Sequence, residues 1–318
     1  MDWQALAILQ GAGGVPLPVV RVLLWVYGLL AFSSAVCYLH PRLRRPEARS
    51  VRLAVTSWWP STLLVGLAVC FGLPVAWLLF AALSVAMLRE FLRMLPASEQ
   101  DPGLARLCHA AVPLHYGALL LGGERLFFGP ILLYAFAALP LLAAALRGPA
   151  VVWGVSRLQL GLMLTVLAPS HVVRLFALPA RPPAGGAGLA SLLLLCIMMG
   201  DGFQYFFGKL LGRHALAPVL SPRKTWEGLL GGTLIVVVVA AVAAPGLVGV
   251  ARWTGAAVGA ALAPCGLLGD LLISALKRGA GVKDSGRVLP GQGGVLDRCD
   301  SLLLSAPLYY YAAAALLY

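Results

Sequence analysis

The sequence predicts an all-α fold, a polytopic transmembrane helix bundle of about ten spans. Two observations support this prediction. Of the 318 residues, 60% are hydrophobic and only 11% are charged, and the mean hydropathy is +0.89. Because soluble domains carry about 25% charged residues, this composition excludes a water-soluble fold. Apolar runs that approach the roughly 20 residues of a spanning helix also recur along the chain.

The predicted spans are apolar runs, and Pro and Gly punctuate the joins between them. The run 110–121 is short for a span. A segment rich in Pro and Gly, 179–187, is typical of an exposed linker. It divides a single membrane domain into N-terminal helices (1–180) and a C-terminal region (181–318). The runs are, in order, 19–39, 53–71, 73–87, 110–121, 126–146, 151–167, 189–207, 229–250, 256–276 and 302–318.

The distribution of charge predicts the orientation of the spans. An Arg-rich segment, 42–52, follows the first run, and the positive-inside rule places it in the cytoplasm, with the N-terminus outside. With ten spans, the polar segments 88–108, 208–227 and 277–300 also face the cytoplasm. Most of the net charge of +12 flanks spans, and a basic face would also bind lipid headgroups or a nucleoside triphosphate. Because the basic residues are scattered between apolar runs, a nucleic-acid-binding module is excluded.

Several common functional patterns are absent from the sequence. The six cysteines stand singly with no CxxC pair, so neither a zinc site nor a disulfide framework is predicted. The P-loop, HExxH and GxSxG patterns are also missing. The carboxylates are therefore the candidate functional groups.

Acidic residues are rare and concentrated in the C-terminal region. A carboxylate at membrane depth costs several kcal/mol unless it is paired or ligated, so such residues mark function. Asp270, Ser274 and Lys277 have the spacing of one helix face, which also allows a purely structural Asp270–Lys277 pair. Of the twelve acidic residues, six lie between positions 201 and 300: Asp201, Glu227, Asp270, Asp284, Asp297 and Asp300.

The segment 274–300 has the composition of a phosphate-binding loop. Its six glycines allow backbone N–H groups to approach phosphate oxygens. Asp297 and Asp300 lie three residues apart where the last helix begins, and carboxylate clusters suit hard cations such as Mg²⁺. Phosphate and metal together favour phosphoryl or nucleotidyl transfer, and the alternative is an ordinary cytoplasmic loop with surface ion pairs. Its candidate phosphate donors are Lys277, Arg278, Lys283 and Arg298.

A second segment, 201–232, contains another candidate phosphate contact. Lys224 and Thr225 precede Glu227 in a pattern that is typical of a helix N-terminus near phosphate. Ser221 and the following proline are predicted to start a turn, and Ser221 is equally consistent with a purely structural turn residue.

These two segments resemble the signature motifs of the phosphatidate cytidylyltransferases, or CDP-diacylglycerol synthases. The family signature is Ser, two residues, Lys-Arg, four residues, Lys-Asp, then Pro-Gly-His-Gly-Gly and Asp-Arg-x-Asp. The segment 274–300 follows it except at Gln292, and 221–228 (SPRKTWEG) is similar to the second hallmark, SPKKTxEG. Gly269 and Asp270 match the Gly-Asp that precedes the signature. The first 180 residues resemble the family only in having several spans.

The resemblance implies that CTP and phosphatidate react to give CDP-diacylglycerol and pyrophosphate. It further implies an all-helical and commonly homodimeric enzyme of the bacterial inner membrane, with its active site facing the cytoplasm and its lipid entering sideways from the bilayer. Mg²⁺, with or without a second cation, would be held by Asp270, Asp297 and Asp300. The implied catalytic residues are Lys277, Arg278, Lys283, Asp284 and Arg298. The implied substrate contacts are Ser221, Lys224, Thr225, Gln292, Gly293 and Gly294.

Gln292 replaces the signature His and marks a side branch of the family. An amide has both a donor and an acceptor, as neutral imidazole does, so Gln292 is expected to hydrogen-bond in its place. Two alternatives stay open at this stage. One is a CTP-dependent transferase or kinase acting on another lipid or on a polyprenyl phosphate. The other is a transporter that uses Asp201 and Asp270 as coupling residues, although the chain shows no matching halves.

Overall fold

The computed structural model describes residues 15–40, 49–96, 99–121, 124–178, 184–286 and 293–317. The first described helices are α1 (Leu17–Leu39), α2 (Arg49–Phe71), α3 (Leu73–Met94) and α4 (Pro102–Leu121). A π-helical turn, Tyr134–Ala138, joins α5 (Glu124–Leu133) to α6 (Leu139–Arg147). After a 3₁₀ turn, Pro149–Gly154, a second π-helical turn, Met163–Leu167, joins α7 (Val155–Leu162) to α8 (Ala168–Ala177).

The C-terminal region contains long helices and one β-hairpin. The two hairpin strands are antiparallel, with Ala215 opposite Thr225 and Ala217 opposite Ser221. The elements are α9 (Gly185–Leu211), β1 (Ala215–Ala217), β2 (Ser221–Thr225), α10 (Trp226–Leu247), α11 (Arg252–Gly279) and α12 (Leu296–Leu317).

The predicted transmembrane bundle is confirmed. The predicted run 53–71 falls in α2, and the predicted run 302–318 falls in α12 as far as residue 317, the last described residue. Over the described residues, eight other helical stretches are long and apolar enough to cross a membrane. These are Leu17–Leu39, Leu73–Met94, Pro102–Leu121, Leu126–Arg147, Pro149–Ala177, Gly185–Leu211, Trp226–Leu247 and Arg252–Gly279.

The structure corrects some predicted boundaries. The run 110–121 is the second half of the full-length helix α4, so it is not short. Most of the predicted polar segment 88–108 is helical, because α3 continues to Met94 and α4 starts at Pro102. Charged residues interrupt the apolar pattern here, but a buried Glu90 is hydrogen-bonded inside the protein and the helix continues through it.

The two candidate phosphate segments also differ from their predicted form. Ser221 begins strand β2 rather than a turn. Ser274, Lys277 and Arg278 still belong to α11, so the loop of the second segment starts only after Gly279. The N-cap expected after Lys224 is present, because the Thr225 side chain accepts a hydrogen bond from the backbone N–H of Gly228 at 3.2 Å.

Glycines bring the C-terminal helices into backbone contact. A Cβ at Gly259 of α11 would collide with the backbone of Val236 in α10, and one at Gly232 of α10 would collide with Gln204 in α9. Small residues at such crossings allow helices in a membrane to approach closely. Close packing of α9, α10 and α11 therefore fixes the relative heights of the polar side chains that these helices carry.

Candidate active site

Polar side chains from several elements line one cavity of about 1040 Å³. It lies where α9 ends, α10 and α12 begin, and α11 approaches its C-terminal end. This end of the bundle carries the basic segments that the sequence predicts to be cytoplasmic. Predicted site residues that line the cavity are Ser221, Lys224, Thr225, Asp270, Asp297, Arg298 and Asp300.

Three carboxylates from three helices line this cavity, and we call them the carboxylate group: Asp201, Asp270 and Asp300. Asp201 of α9 accepts a hydrogen bond from the Ser301 hydroxyl at 2.9 Å, and it interacts electrostatically with Asp270 and Asp300. A Cβ at Gly269 would overlap the backbone carbonyl oxygen of Asp300, so α11 and α12 touch at this level. The predicted metal set did not include Asp201. Its position inside an apolar run was the signal that could have found it.

Lys224 provides a positive charge beside this carboxylate group. It forms an ion pair with Asp270, and its side chain is 19% exposed. The hairpin that carries Lys224 is held in place by the backbone N–H of Trp226, which donates to the His214 carbonyl at 3.0 Å. The structural Asp270–Lys277 pair considered from the sequence is not formed, because Lys277 bonds to Asp297 instead.

Asp297 contacts the described parts of the loop between α11 and α12 (280–286 and 293–295), which we call the signature loop. Its carboxylate accepts hydrogen bonds from the Lys277 ammonium at 2.6 Å, from the Ser285 backbone N–H at 2.8 Å and from the Gly294 N–H at 2.9 Å. Burial alone would raise the pKa of Asp297. The hydrogen bonds from Gly294, Lys277 and Ser285 outweigh burial and hold this pKa below its ordinary value. Asp297 is therefore ionised at neutral pH and closes the loop onto the first turn of α12.

The cavity suits a hard cation by charge and donor type. Asp201, Asp270 and Asp300 present carboxylate oxygens, the donors that Mg²⁺ prefers. Lys224 pairs with Asp270, so a cation would offset the remaining negative charge of the group. Among the described residues, no three His, Cys, Asp or Glu side chains already stand in a metal-binding arrangement. Cation binding would therefore require these side chains to reorient.

Other predicted site residues lie away from the cavity lining. Arg278 is exposed at the end of α11 and donates to the Val282 carbonyl at 3.2 Å. Lys283 and Asp284 are exposed in the loop that follows. A Cβ at Gly293 would overlap the Asp297 carboxylate, and a Cβ at Gly294 would overlap the Glu90 carboxylate and the Ser285 hydroxyl. Gln292 falls outside the described residues.

The chain matches the family model for the cytidylyltransferase family over residues 52–316. It belongs to the cytidylyltransferase family. The resemblance found in its motifs is thereby confirmed.

The chain is similar to known proteins in two different ways. It is 32% identical to the uncharacterized protein YnbB of Escherichia coli K12 over 296 residues, which cover 90% of this chain and 95% of that protein. It is 39% identical to the phosphatidate cytidylyltransferase of Mycobacterium bovis over 124 residues, covering 39% of this chain and 40% of that enzyme. The phosphatidate cytidylyltransferase of Synechocystis is 43% identical over 148 residues, 43% of this chain and 48% of that enzyme. The chain thus aligns with less than half the length of these two named enzymes.

The cavity also has an apolar part that the sequence did not predict. Side chains of the N-terminal helices α2 and α3 line this part together with side chains of α9, and we call it the apolar channel. The carboxylates and the apolar channel belong to the same cavity. No motif marks these residues, because any apolar side chain of suitable size lines such a channel equally well. The main apolar lining residues are Trp58, Leu64, Leu79, Phe80, Leu83 and Met198.

Proposed function

We propose that this membrane cytidylyltransferase transfers the cytidylyl group of CTP to phosphatidate, giving CDP-diacylglycerol and pyrophosphate. The observation that carries the proposal is the shape and polarity of the cavity. One continuous space joins carboxylates and basic groups to an apolar channel between α2, α3 and α9. Such a space suits a substrate with a phosphate at one end and hydrocarbon at the other.

The chemistry requires positioning and charge neutralisation more than a base. An oxygen of the lipid phosphate attacks the α-phosphorus of CTP, a new P–O bond forms, and the bond to the β-phosphate oxygen breaks to release pyrophosphate. Because the attacking phosphate is already ionised, no proton has to be removed. Lys224 and Arg298 line the cavity and would neutralise phosphate charge in this step.

We assign the binding of Mg²⁺ to Asp201, Asp270 and Asp300. When bound, the ion would supply charge neutralisation at the triphosphate and at the leaving pyrophosphate. The motif resemblance implies Asp297 as a further ligand. In the structure its carboxylate is occupied by Lys277, Ser285 and Gly294, so its first role is to hold the loop.

The apolar channel would bind the acyl chains. Its lining residues belong to predicted membrane-spanning helices, which supports sideways entry of the lipid from the bilayer. The positive charges beside the cavity favour the cytoplasmic side, where CTP is present, and the bacterial inner membrane as the location. A homodimer is the expected assembly by resemblance to the family.

A transfer assay with purified protein in nanodiscs tests the proposal. CTP labelled at the α-phosphorus, phosphatidate and Mg²⁺ are expected to give a labelled lipid and unlabelled pyrophosphate. Parallel reactions with polyprenyl phosphate and with diacylglycerol separate the alternatives. Transfer of a γ-label to diacylglycerol would identify a kinase, and transfer only to polyprenyl phosphate would replace the acceptor. No nucleotide turnover with any acceptor would overturn the enzymatic proposal.

One observation is consistent with an acceptor other than phosphatidate. Similarity to YnbB covers nearly the whole chain, whereas similarity to the two named phosphatidate enzymes covers less than half of it. The apolar lining from α2 and α3 belongs to the N-terminal half. A change of acceptor would therefore act through this lining, and the acceptor series above reports on it.

A further inference from the structure

A buried carboxylate from the N-terminal half contacts the signature loop. Glu90 of α3 is 3% exposed. It accepts hydrogen bonds from the Ser285 hydroxyl, from the Val295 backbone N–H and from the Leu296 backbone N–H, each at 2.9 Å. Each of its two carboxylate oxygens accepts at least one of these bonds. A buried carboxylate with this many donors is specifically placed.

Two of these bonds cap helix α12. The residue before the helix is Val295, whose side chain has no acceptor for the first free N–H groups. Glu90 takes that role from a position 205 residues earlier in the chain. A carboxylate at a helix N-terminus is also favoured by the helix dipole. The start of α12 is therefore defined by a residue of α3.

Two glycines of the signature loop make room for this carboxylate. A Cβ at Gly286 or at Gly294 would overlap the Glu90 carboxylate. Glycine is the only residue type without a Cβ, so any other residue would displace Glu90 or the loop. The sequence assigned Gly294 to substrate binding. In the structure, the Glu90 carboxylate occupies the position that a side chain at residue 294 would need.

Ser285 connects Glu90 to the active site. Its hydroxyl lies 2.9 Å from the Glu90 carboxylate and 3.0 Å from Asp297, to which its backbone N–H also donates. The first turn of α12, which carries Asp297 and Arg298 and leads into Asp300, is thus anchored to α3 through one residue of the loop. We infer that Glu90 is a positioning residue, which holds the loop and the first turn of α12 in the geometry that the transfer reaction requires. This inference rests on the proposed function for its catalytic part only.

Hydrogen exchange tests the anchoring without any substrate. The variants Glu90→Ala and the near-isosteric Glu90→Gln are compared with wild type and with Glu99→Gln. Glu99 is a matched control, because it is a surface residue that pairs with Arg157. In the Glu90 variants, amide exchange at Val295 and Leu296 is expected to rise about 10-fold, as loss of a hydrogen bond to a charged group predicts, while α9–α11 stay protected. Unchanged exchange at these two amides in both Glu90 variants would overturn the inference.

Steady-state kinetics tests the positioning role. A small displacement of catalytic groups lowers kcat by about 10²-fold, so that loss is expected for Glu90→Ala, with a smaller loss for Glu90→Gln. The KM for phosphatidate is expected to stay unchanged, because the apolar channel is not moved. Faster exchange with unchanged kcat would refute the positioning role. If wild type itself lacks transfer activity, the proposed function fails while the exchange result still decides the anchoring.

Discussion

The N-terminal half of the chain, through α2 and α3, and the C-terminal helices α9–α12 contribute to the same cavity in different ways. The C-terminal helices and their hairpin supply the charged side chains that line it, among them Asp201, Lys224, Asp270 and Asp300. The N-terminal helices supply apolar lining such as Phe80 and Leu83, and the anchor Glu90. Similarity to the two named cytidylyltransferases extends over only 124 and 148 residues, whereas similarity to YnbB extends over 296.

The difference shows that the polar part of such a site is visible in a membrane protein sequence, whereas the apolar part is not. Charged groups at membrane depth are costly, so each one is kept in a specific arrangement and becomes visible as a motif. Apolar lining requires only suitable volume, and it leaves no pattern that differs from any other span. We infer that the C-terminal half determines the reaction class, and that the N-terminal helices α2 and α3 select the acceptor together with α9. The following predictions test this division, from the largest expected effect to the smallest.

Asp300→Asn should lower kcat by about 10³-fold, because it removes one charge from the carboxylate group that we assign to Mg²⁺. Transfer rates are measured across a range of Mg²⁺ concentrations. The matched control is Asp101→Asn in the N-terminal half. Asp101 pairs with Arg147 and caps α4, and Asn caps a helix equally well. Equal losses in the two variants would remove the distinction between the halves.

Lys224→Met should lower kcat/KM for CTP by about 10²-fold, since the ammonium beside Asp270 would no longer neutralise phosphate. The exposed Arg252 at the far end of α11 is the control, and Arg252→Met should behave as wild type. Initial rates at varied CTP give the comparison. Wild-type kinetics for Lys224→Met would exclude Lys224 from phosphate binding.

Leu83→Trp should raise the KM for long-chain phosphatidate by about 10-fold, because it fills part of the apolar channel. The KM for a short-chain phosphatidate should stay at its wild-type value. Leu78 lies on the same helix, is 61% exposed and is absent from the channel lining, so Leu78→Trp is the control. If both substrates are affected equally by Leu83→Trp, the channel does not hold acyl chains.

Thr225→Ala should have the smallest effect, a loss of about 1 kcal/mol of stability from the missing cap of α10. For a protein of this size the melting temperature should fall by about 2–4 °C. Thr225→Ser keeps the hydroxyl and should melt as wild type does, which thermal unfolding in detergent can show. A large loss of activity in the Ala variant without a change in melting would instead assign Thr225 to substrate binding.

Much of the site was predictable from residue type and spacing. Asp270, Asp300, Lys224 and Ser221 were predicted as site residues, and all four line the cavity. Asp201 was predicted as a functional carboxylate, but its place beside Asp270 and Asp300 was missed, because no spacing along the chain links a residue of α9 to residues of α11 and α12. The predicted boundary at 88–108 was wrong for a related reason. Charged residues were taken as the end of a span, although Glu90 stays inside the helix where α12 and the loop satisfy it.

The sequence by itself determined the membrane bundle, the family and the chemical character of the cavity, because hydropathy and the cost of buried charge act locally along the chain. Only the tertiary structure decided which groups share a partner. It paired Lys277 with Asp297 and Lys224 with Asp270, joined Asp201 to the carboxylate group, and brought Glu90 to the start of α12. Such contacts join residues far apart in sequence, so they depend on how the helices pack and at what height they cross.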